Sequence, residues 1–595
     1  MEEGFDVDLE MSGNRQDLLG SDALPLVVAV TGHRDLVAGE TTELRQKVRE
    51  FLLELAERFP SRRLRLLSSL AEGADQLVAE VAVDLDIELV VPLPMDEFDY
   101  MEDFSSERHI ESYESLKSRA ADTYVLQNRA DQPVGPENTT WSPRERAYAQ
   151  LGIFLAAHCH ILLAIWDGKE SDKPGGTGHV VRFHHDDFLP GYTPKSITTQ
   201  QMLVDDESDL IYHIVCSRDR PDGQPRQDLT ALDCFWFTKD KDEPRNTRLP
   251  VQHETIFQRS EEFSRDAIRY ASRIDRERQP LLDPACGNQL PTGIEVIDRL
   301  QSTADWLAVR YQQLILSTFL LIHILAFAMG LMFILYNDYA TRPSFLIFFL
   351  LAFVAAIGVQ YFSKKRGWHR KYLDYRALAE GLRIQFYWAA AGVTQLDISR
   401  FTHDSFLQAQ DPEIGWIRNV LRVAGTRVDA SPFSSQFGLD MAIREWIGSA
   451  KSGQLGYFRS ATRLRNSRKM LTERLGLACL VASAGVVAVF LFAISSIPEV
   501  LHSPLMVALG LLLLLFAVRH SYANSVAEKE LIKQYEFMLR VFDNAHKRMQ
   551  TANNDTEKRQ VLYALGHTAL DEQAQWLLTH RERSIESTDI LQMGG

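Results

Sequence analysis

The sequence predicts an α/β doubly wound domain followed by an all-α membrane region with four transmembrane helices, arranged as two repeated hairpins. Three observations carry this. Apolar strand-like runs alternate with helical patterns over residues 24–245. Four later stretches, 314–336, 344–362, 474–495 and 503–520, are long, apolar and almost free of charge. Those four also recur as pairs, positions 314 and 344 being matched by 474 and 504 at an offset of 160 residues.

The chain has 595 residues, too many for one hydrophobic core. Its net charge is −16, from 80 acidic and 64 basic residues, so its surface is not built to attract nucleic acid. The five cysteines, Cys159, Cys216, Cys234, Cys286 and Cys479, form no CxxC pair and sit mostly in apolar runs, as reduced core residues do. Residues 1–23 are acidic and polar, with no basic and apolar signal pattern, and are expected to be a frayed tail.

In the first module, "PLVVAV" (25–30) reads as a strand buried on both faces. Leu44, Val48, Phe51, Leu52 and Leu55 follow on one helical stripe. "LRLLSSL" (64–70) and "IELVVPL" (87–93) open further strand-helix units. "SPRERAYAQLGIFLAA" starts with a capping box, Ser142 and Glu145, with Pro143 at the first helical position, and leads to the strand in "HILLAIWDG". Such alternation gives a mostly parallel sheet, whose ligands bind beyond the carboxyl ends of the strands. Three loops fall there: "TGHRD" (31–35), "SLAEGADQ" (69–76) and "KPGGTGHVV" (173–181). Glycine lets the backbone approach a phosphate and present N–H groups to it, and a following helix start adds partial positive charge.

Two histidine clusters, "HCH" (158–160) and "HHDD" (184–187), contain metal-ligand types at spacings that match no standard zinc pattern, and no metal site is expected. His158 and His160 are expected to flank a strand entrance, and His184 to Asp187 to form a solvated loop. The charged stretch 251–275, inside a connecting segment 246–300, reads as a solvated connecting helix.

The second region divides into repeat one (301–460) and repeat two (461–595). Tyr375 maps to Tyr535 at the same offset, so the repeat unit is two spans plus a long following helix. Lys and Arg gather in "SKKRGWHRK" (363–371) and "RLRNSRK" (463–469), and are sparse between paired spans, which predicts cytoplasmic N- and C-termini. His323 is the most distinctive polar residue inside a span, and a helix-helix hydrogen bond is its simplest role. Ala478 and Ala482 form a small-xxx-small pair suited to close helix contact. A pore from four-span chains would need several subunits, so a homo-oligomer is expected.

"VVAVTGHRDL", "LLSSLAEGADQLVAEVA" and "ILLAIWDGKESDKPGGTGHVV" resemble the successive motifs of the SLOG superfamily, Rossmann-like domains related to DprA and LOG proteins. The resemblance implies a nucleotide or nucleotide-derived ligand, such as a nucleotide second messenger or an NAD- or ADP-ribose-like molecule. It places contacts at Gly32, His33, Arg34, Gly73, Asp75, Gly175, Gly176, Thr177 and Gly178. The catalytic Glu of LOG-type phosphoribohydrolases is missing after Gly178, so no catalytic residue is assigned. "YRALAEGLRIQFYW" (375–388), after a two-span hairpin, resembles the SLATT family of two-span effectors, present here in two copies, with Glu536 standing where the first copy has Arg376. Together these imply a nucleotide-sensing, ligand-gated effector of a bacterial conflict or antiphage system in the inner membrane. The alternative is a membrane-tethered nucleotide hydrolase or phosphoribohydrolase, with Glu72 or Glu145 as acid or base.

Overall fold

The computed structural model describes residues 23–127, 141–170, 175–186, 209–240, 244–282, 289–339, 341–393, 401–405, 412–431, 433–493, 497–526 and 528–586. The tail expected at 1–23, except for Ala23, lies outside them, as do Asp187 and Cys286.

β1 (Pro25–Gly32) is enclosed on both faces, Leu26 to Val30 being almost fully buried, which is why its sequence shows no polar alternation. The chain continues through α1 (Thr41–Arg58), β2 (Arg63–Leu67), α2 (Ala74–Asp84), β3 (Glu88–Leu93), the short α3 (Glu97–Met101), α4 (Glu107–Ser118) and β4 (Asp122–Val125). It then runs through α5 (Pro143–Ala157), β5 (Ile161–Trp166), α6 (Thr177–Asp186), β6 (Ile211–Val215), β7 (Cys234–Phe237) and β8 (Arg245–Asn246). The strands form one eight-stranded sheet in the order β4-β3-β2-β1-β5-β6-β7-β8. β4 through β6 of that order run parallel, and β7 and β8 add an antiparallel edge. This is the expected doubly wound α/β fold, with its topological switch point between β1 and β5. The capping box of α5 forms as predicted, the Ser142 hydroxyl accepting from Glu145 N–H and the Glu145 carboxylate accepting from Ser142 N–H.

Two expectations are corrected within this region. The helix α7 (Val251–Glu277) is not solvated all round. His253, Ile256, Phe257, Ser260, Phe263, Ser264 and Ala267 form a buried stripe at helical spacing, and Phe257 meets Phe59 edge-on at 5.6 Å. Most of its charges occupy the outer face, though Glu261 and Asp266 are buried, and the charge count concealed the stripe. His184 is likewise not in a solvated loop. It is buried near the end of α6, its Nε2 lying 3.2 Å from the carbonyl of Leu210.

Three long helices follow, α8 (Ile294–Asp338), α9 (Pro343–Lys365) and α10 (Trp368–Ala391), and then α11 (Gly415–Ala424), α12 (Thr426–Ala430) and α13 (Gln436–Met441). Compactness divides the chain into two units, one of residues up to 306 with 377–438, the other of 307–376 with 439–595. The stretch 377–438, which lies inside the first repeat by sequence register, thus packs with the α/β sheet. Asn419, Arg422 and Ala430, in or beside α11 and α12, bond to residues flanking the strands, His160 and Cys159 just before β5 and Gln127 just after β4.

The second unit is helical. Besides parts of α8 and α10 it contains α9, α14 (Gly453–Ala493), α15 (His502–Ser525), α16 (Glu528–Thr551) and α17 (Asp555–Glu586). Four of its helices are long and apolar enough to cross a membrane, and scarcely any of each apolar stretch is buried within the protein. Side chains such as Ile324, Ile347, Phe348, Leu351 and Val481 are exposed. A water-soluble fold does not leave such surfaces uncovered over spans of this length, so the protein is a multi-pass membrane protein with the lipid bilayer as its solvent. The repeat is visible in the elements: Pro343 and His502 open equivalent spans, and Trp368 and Glu528 open the helices that follow, at the same offset to within one residue. Tyr375 and Tyr535 are both buried. Their neighbours differ, since Arg376 lies over the Trp576 ring while Glu536 accepts from Asn466.

α17, at the end of the second copy, packs on the first copy's α10. Arg581 donates to the fully buried Asp374 at 2.9 Å, and Trp576 meets Tyr372 edge-on. His323 makes the helix-helix contact expected of it, its Nε2 lying 3.3 Å from Ser521 Oγ. The small-residue contact is elsewhere than predicted. Ala478 and Ala482 are exposed. α8 and α15 approach through Gly330 and Gly510, where a Cβ would overlap Leu514 in one case and come within 3.0 Å of Ile334 in the other.

Candidate functional site

The ends of β1, β2 and β5 lie side by side at the carboxyl edge of the sheet. The loop after β1 is locked in place by backbone bonds on both sides. His33 N–H donates to Ile165 at the end of β5, and His33 carbonyl accepts from Ala74 N–H at the start of α2. Gly32 and Gly73 allow this closeness. A Cβ on Gly32 would overlap that of Ala74, and one on Gly73, whose φ is +86°, would sit 2.6 Å from the His33 carbonyl oxygen and nearer still to that of Arg34. Both glycines serve the approach of loop to helix.

The side chains of the same loop point to distinct partners. His33 Nε2 lies 3.1 Å from Asp167 Oδ1 and 3.2 Å from the Asp167 amide nitrogen. Asp35 accepts from Arg218 at 2.8 Å, tying the loop to the one after β6, and this partner outweighs burial to hold its carboxyl below the usual range. Arg34 is exposed, yet its guanidinium is positioned by Tyr148 Oη and the Asp103 carbonyl, each 3.4 Å away. Tyr148 in turn donates to Asp103, which also accepts from Arg144 at 2.9 Å.

Asp75 is placed beneath the surface rather than on it. Its carboxylate accepts from Ser69 at 3.0 Å, Ser69 accepts from Tyr100, and burial pushes the Asp75 pKa up to about 7 against the opposing effect of that hydroxyl. Gly175, with φ +68°, packs against Tyr148, and Gly176 opens the first turn of α6, its carbonyl accepting from His179 and Val180. Thr177 and Gly178 are the first helical residues. Their leading N–H groups form the positive end of the α6 dipole at this edge. All nine residues expected at the site therefore lie at or next to the carboxyl edge, with Asp75 and Thr177 enclosed.

Asp167, which sequence reasoning passed over, completes the arrangement. It follows β5 directly, across the switch point from His33, and its side chain is 1% exposed. Oδ1 accepts from Lys169 N–H at 3.0 Å. Oδ2 is buried and has no hydrogen-bond partner among the described residues, the nearest cation being Arg220 at 3.9 Å. Burial would raise its pKa, but His33, the Lys169 amide and Arg218 together hold it below the ordinary carboxylate range, so it is ionised at neutral pH. An ionised oxygen without a donor is costly in a closed fold and natural where a ligand donates. The signal was present in the sequence as the carboxylate that ends the apolar run "HILLAIWD".

The two carboxylates considered as acid or base are both engaged. Glu72 accepts from the amide and hydroxyl of Ser105, at 2.9 and 2.7 Å, and Glu145 closes its capping box. No protein-family model matches the chain, and no curated protein matches it.

Proposed function

We propose that the α/β head senses a nucleotide or nucleotide-derived ligand and that the protein is a ligand-gated membrane effector. The observation that carries this is Asp167 Oδ2, a buried, ionised acceptor awaiting a donor at the switch point. A ribose or base donor would satisfy it, while phosphate would lie toward the α6 N-terminus and the exposed Arg34. The engagement of Glu72 and Glu145 supports binding over hydrolysis. As the resemblance to SLOG and SLATT proteins suggests, the setting would be a bacterial conflict or antiphage system. The chain would sit in the inner membrane as a homo-oligomer, with both termini cytoplasmic. Switching such an effector from 1:99 to 99:1 requires the ligand to prefer the open state by about 5.5 kcal/mol, within reach of several charge-assisted phosphate contacts.

The test uses the full chain in detergent, incubated with mono-, di- and cyclic nucleotides, NAD and ADP-ribose, with thermal shift and ligand mass followed together. The expected result is stabilisation by one ligand recovered intact, lost in Asp167→Asn and Gly176→Asp, and ligand-dependent ion flux from liposomes. A ligand recovered cleaved would replace this reading with the hydrolase, and no stabilisation by any of them would remove both.

A further inference from the structure

At the opposite, amino-terminal edge of the sheet lies a second group of chemistry-bearing residues. His158 caps α5 just before β5, His403 belongs to the short helical turn Thr402–Ser405, and Asp429 lies in α12. One ligand atom from each falls within 4.8 Å of the others. His158 and His403 are buried, and Asp429 has a side-chain exposure of only 12%.

The orientation of His158 is informative. Its Nδ1 lies 2.9 Å from the carbonyl oxygen of Phe154, a group that can only accept, so Nδ1 carries the proton. In neutral imidazole Nε2 is then a bare lone pair, and it faces Asp429 Oδ2 at 3.1 Å, a second acceptor. Two acceptors at that separation need a proton or a cation between them. A backbone carbonyl on the far nitrogen is also the usual way a metal-binding histidine is oriented. A simple imidazolium-carboxylate pair would join two of the residues, whereas a cation would draw on all three that converge here. The His403 ring is turned perpendicular to that of His158 at 5.4 Å, in the same pocket and stacked on Phe401. Tetrahedral zinc at about 2.0–2.1 Å from each ligand sets ligand atoms about 3.3 Å apart, close to the 3.1 Å seen, and His403, whose ligand atom lies within 4.8 Å of the other two, need approach by at most about 1.5 Å. Neighbouring histidines are spoken for: His160 accepts from Val27 N–H at Nδ1 and lies 3.3 Å from the Asn419 carbonyl at Nε2.

We infer that His158, His403 and Asp429 form a site for a borderline divalent cation of the zinc class. The ion would staple the segment around 401–430 to the amino-terminal edge of the sheet, leaving a fourth position for water. On this reading "HCH" has a metal role that the sequence did not suggest: His158 would contribute, while His160 and Cys159 would not, the Cys159 thiol lying 3.7 Å from the Ala156 carbonyl.

The experiment measures metal content of the full chain, purified in detergent from zinc-supplemented cells, before and after chelation, together with thermal unfolding. About one zinc per chain is expected, falling at least about tenfold in His403→Gln and Asp429→Asn. Chelation should lower the unfolding temperature of the parent protein, and zinc should restore it. The proposal is overturned if the parent carries no stoichiometric metal and ignores the chelator, or if both variants retain the ion. Should either variant fail to fold, Co2+ bound to the parent decides. Intense tetrahedral d–d absorption without a thiolate charge-transfer band supports the site, and weak octahedral absorption or a thiolate band overturns it.

Discussion

The two edges of the head sheet are built from the same strands and finished in opposite ways. At the amino-terminal edge a covering segment of the chain bonds several groups: His160 is bonded on both ring nitrogens, and Arg422 donates to the Cys159 carbonyl at 3.0 Å. The segment that supplies Asn419 and Arg422 runs on to β4, where Arg427 pairs with Asp122 and Ala430 accepts from Gln127 N–H. At the carboxyl edge Asp167 Oδ2 has no donor among the described residues and Arg34 is exposed. The difference teaches how one sheet is covered by its own chain at one edge and left open at the other. A closed edge tolerates no loss of a partner, whereas an edge meant for a ligand holds groups that only the ligand completes.

Substitutions can break that contrast. The largest effect is expected at Gly73→Ala, where a positive φ and a backbone clash with the 33–34 loop combine to about 3 kcal/mol or outright misfolding. Gly39→Ala, nearby and with no atom in reach, should be almost silent in the same denaturation measurement. Next comes Arg422→Met at the closed edge. It keeps volume but strands the Cys159 carbonyl, at a cost of about 2 kcal/mol.

A pH series sharpens the comparison from the other side. The Asp75 pKa is raised to about 7 in the fold, so between about pH 4 and 7 the native state holds a proton that the unfolded chain has released. Stability conferred through this group is therefore greatest in acid and falls as pH rises through 7, by at most about 1.4 kcal/mol per unit, then levels off. Comparing unfolding of the parent and Asp75→Asn at pH 5 and pH 8 checks it, the variant being the flatter of the two. The smallest stability effect belongs to the open edge. Arg220→Met should change unfolding by less than about 0.5 kcal/mol, since its pairing with Asp167 is a long 3.9 Å at a partly exposed site.

Much of this could be read along the chain. Residues 25–30 announced a strand enclosed on both sides, Ser142 and Glu145 a capped helix, and the apolar lengths after 314 a membrane region in two copies. The candidate site was legible to the extent that its loops follow strands. The failures are equally specific. Charge on α7 masked its buried stripe, Ala478 and Ala482 matched a motif that the bundle leaves exposed, and Asp167 looked like the ordinary end of a strand.

The sequence by itself determined the periods and lengths, hence the alternating sheet-forming units, the four spans and their duplication, because these depend on neighbours within a few turns. Only the tertiary structure decided that Asp429 meets His158 across 271 residues, and that Arg581 of the second repeat meets Asp374 of the first. It alone also left one oxygen of Asp167 without a donor among the described residues. Such pairings are set by which surfaces bury each other once the chain has collapsed, and no local pattern encodes which distant partner a polar group will meet or lack.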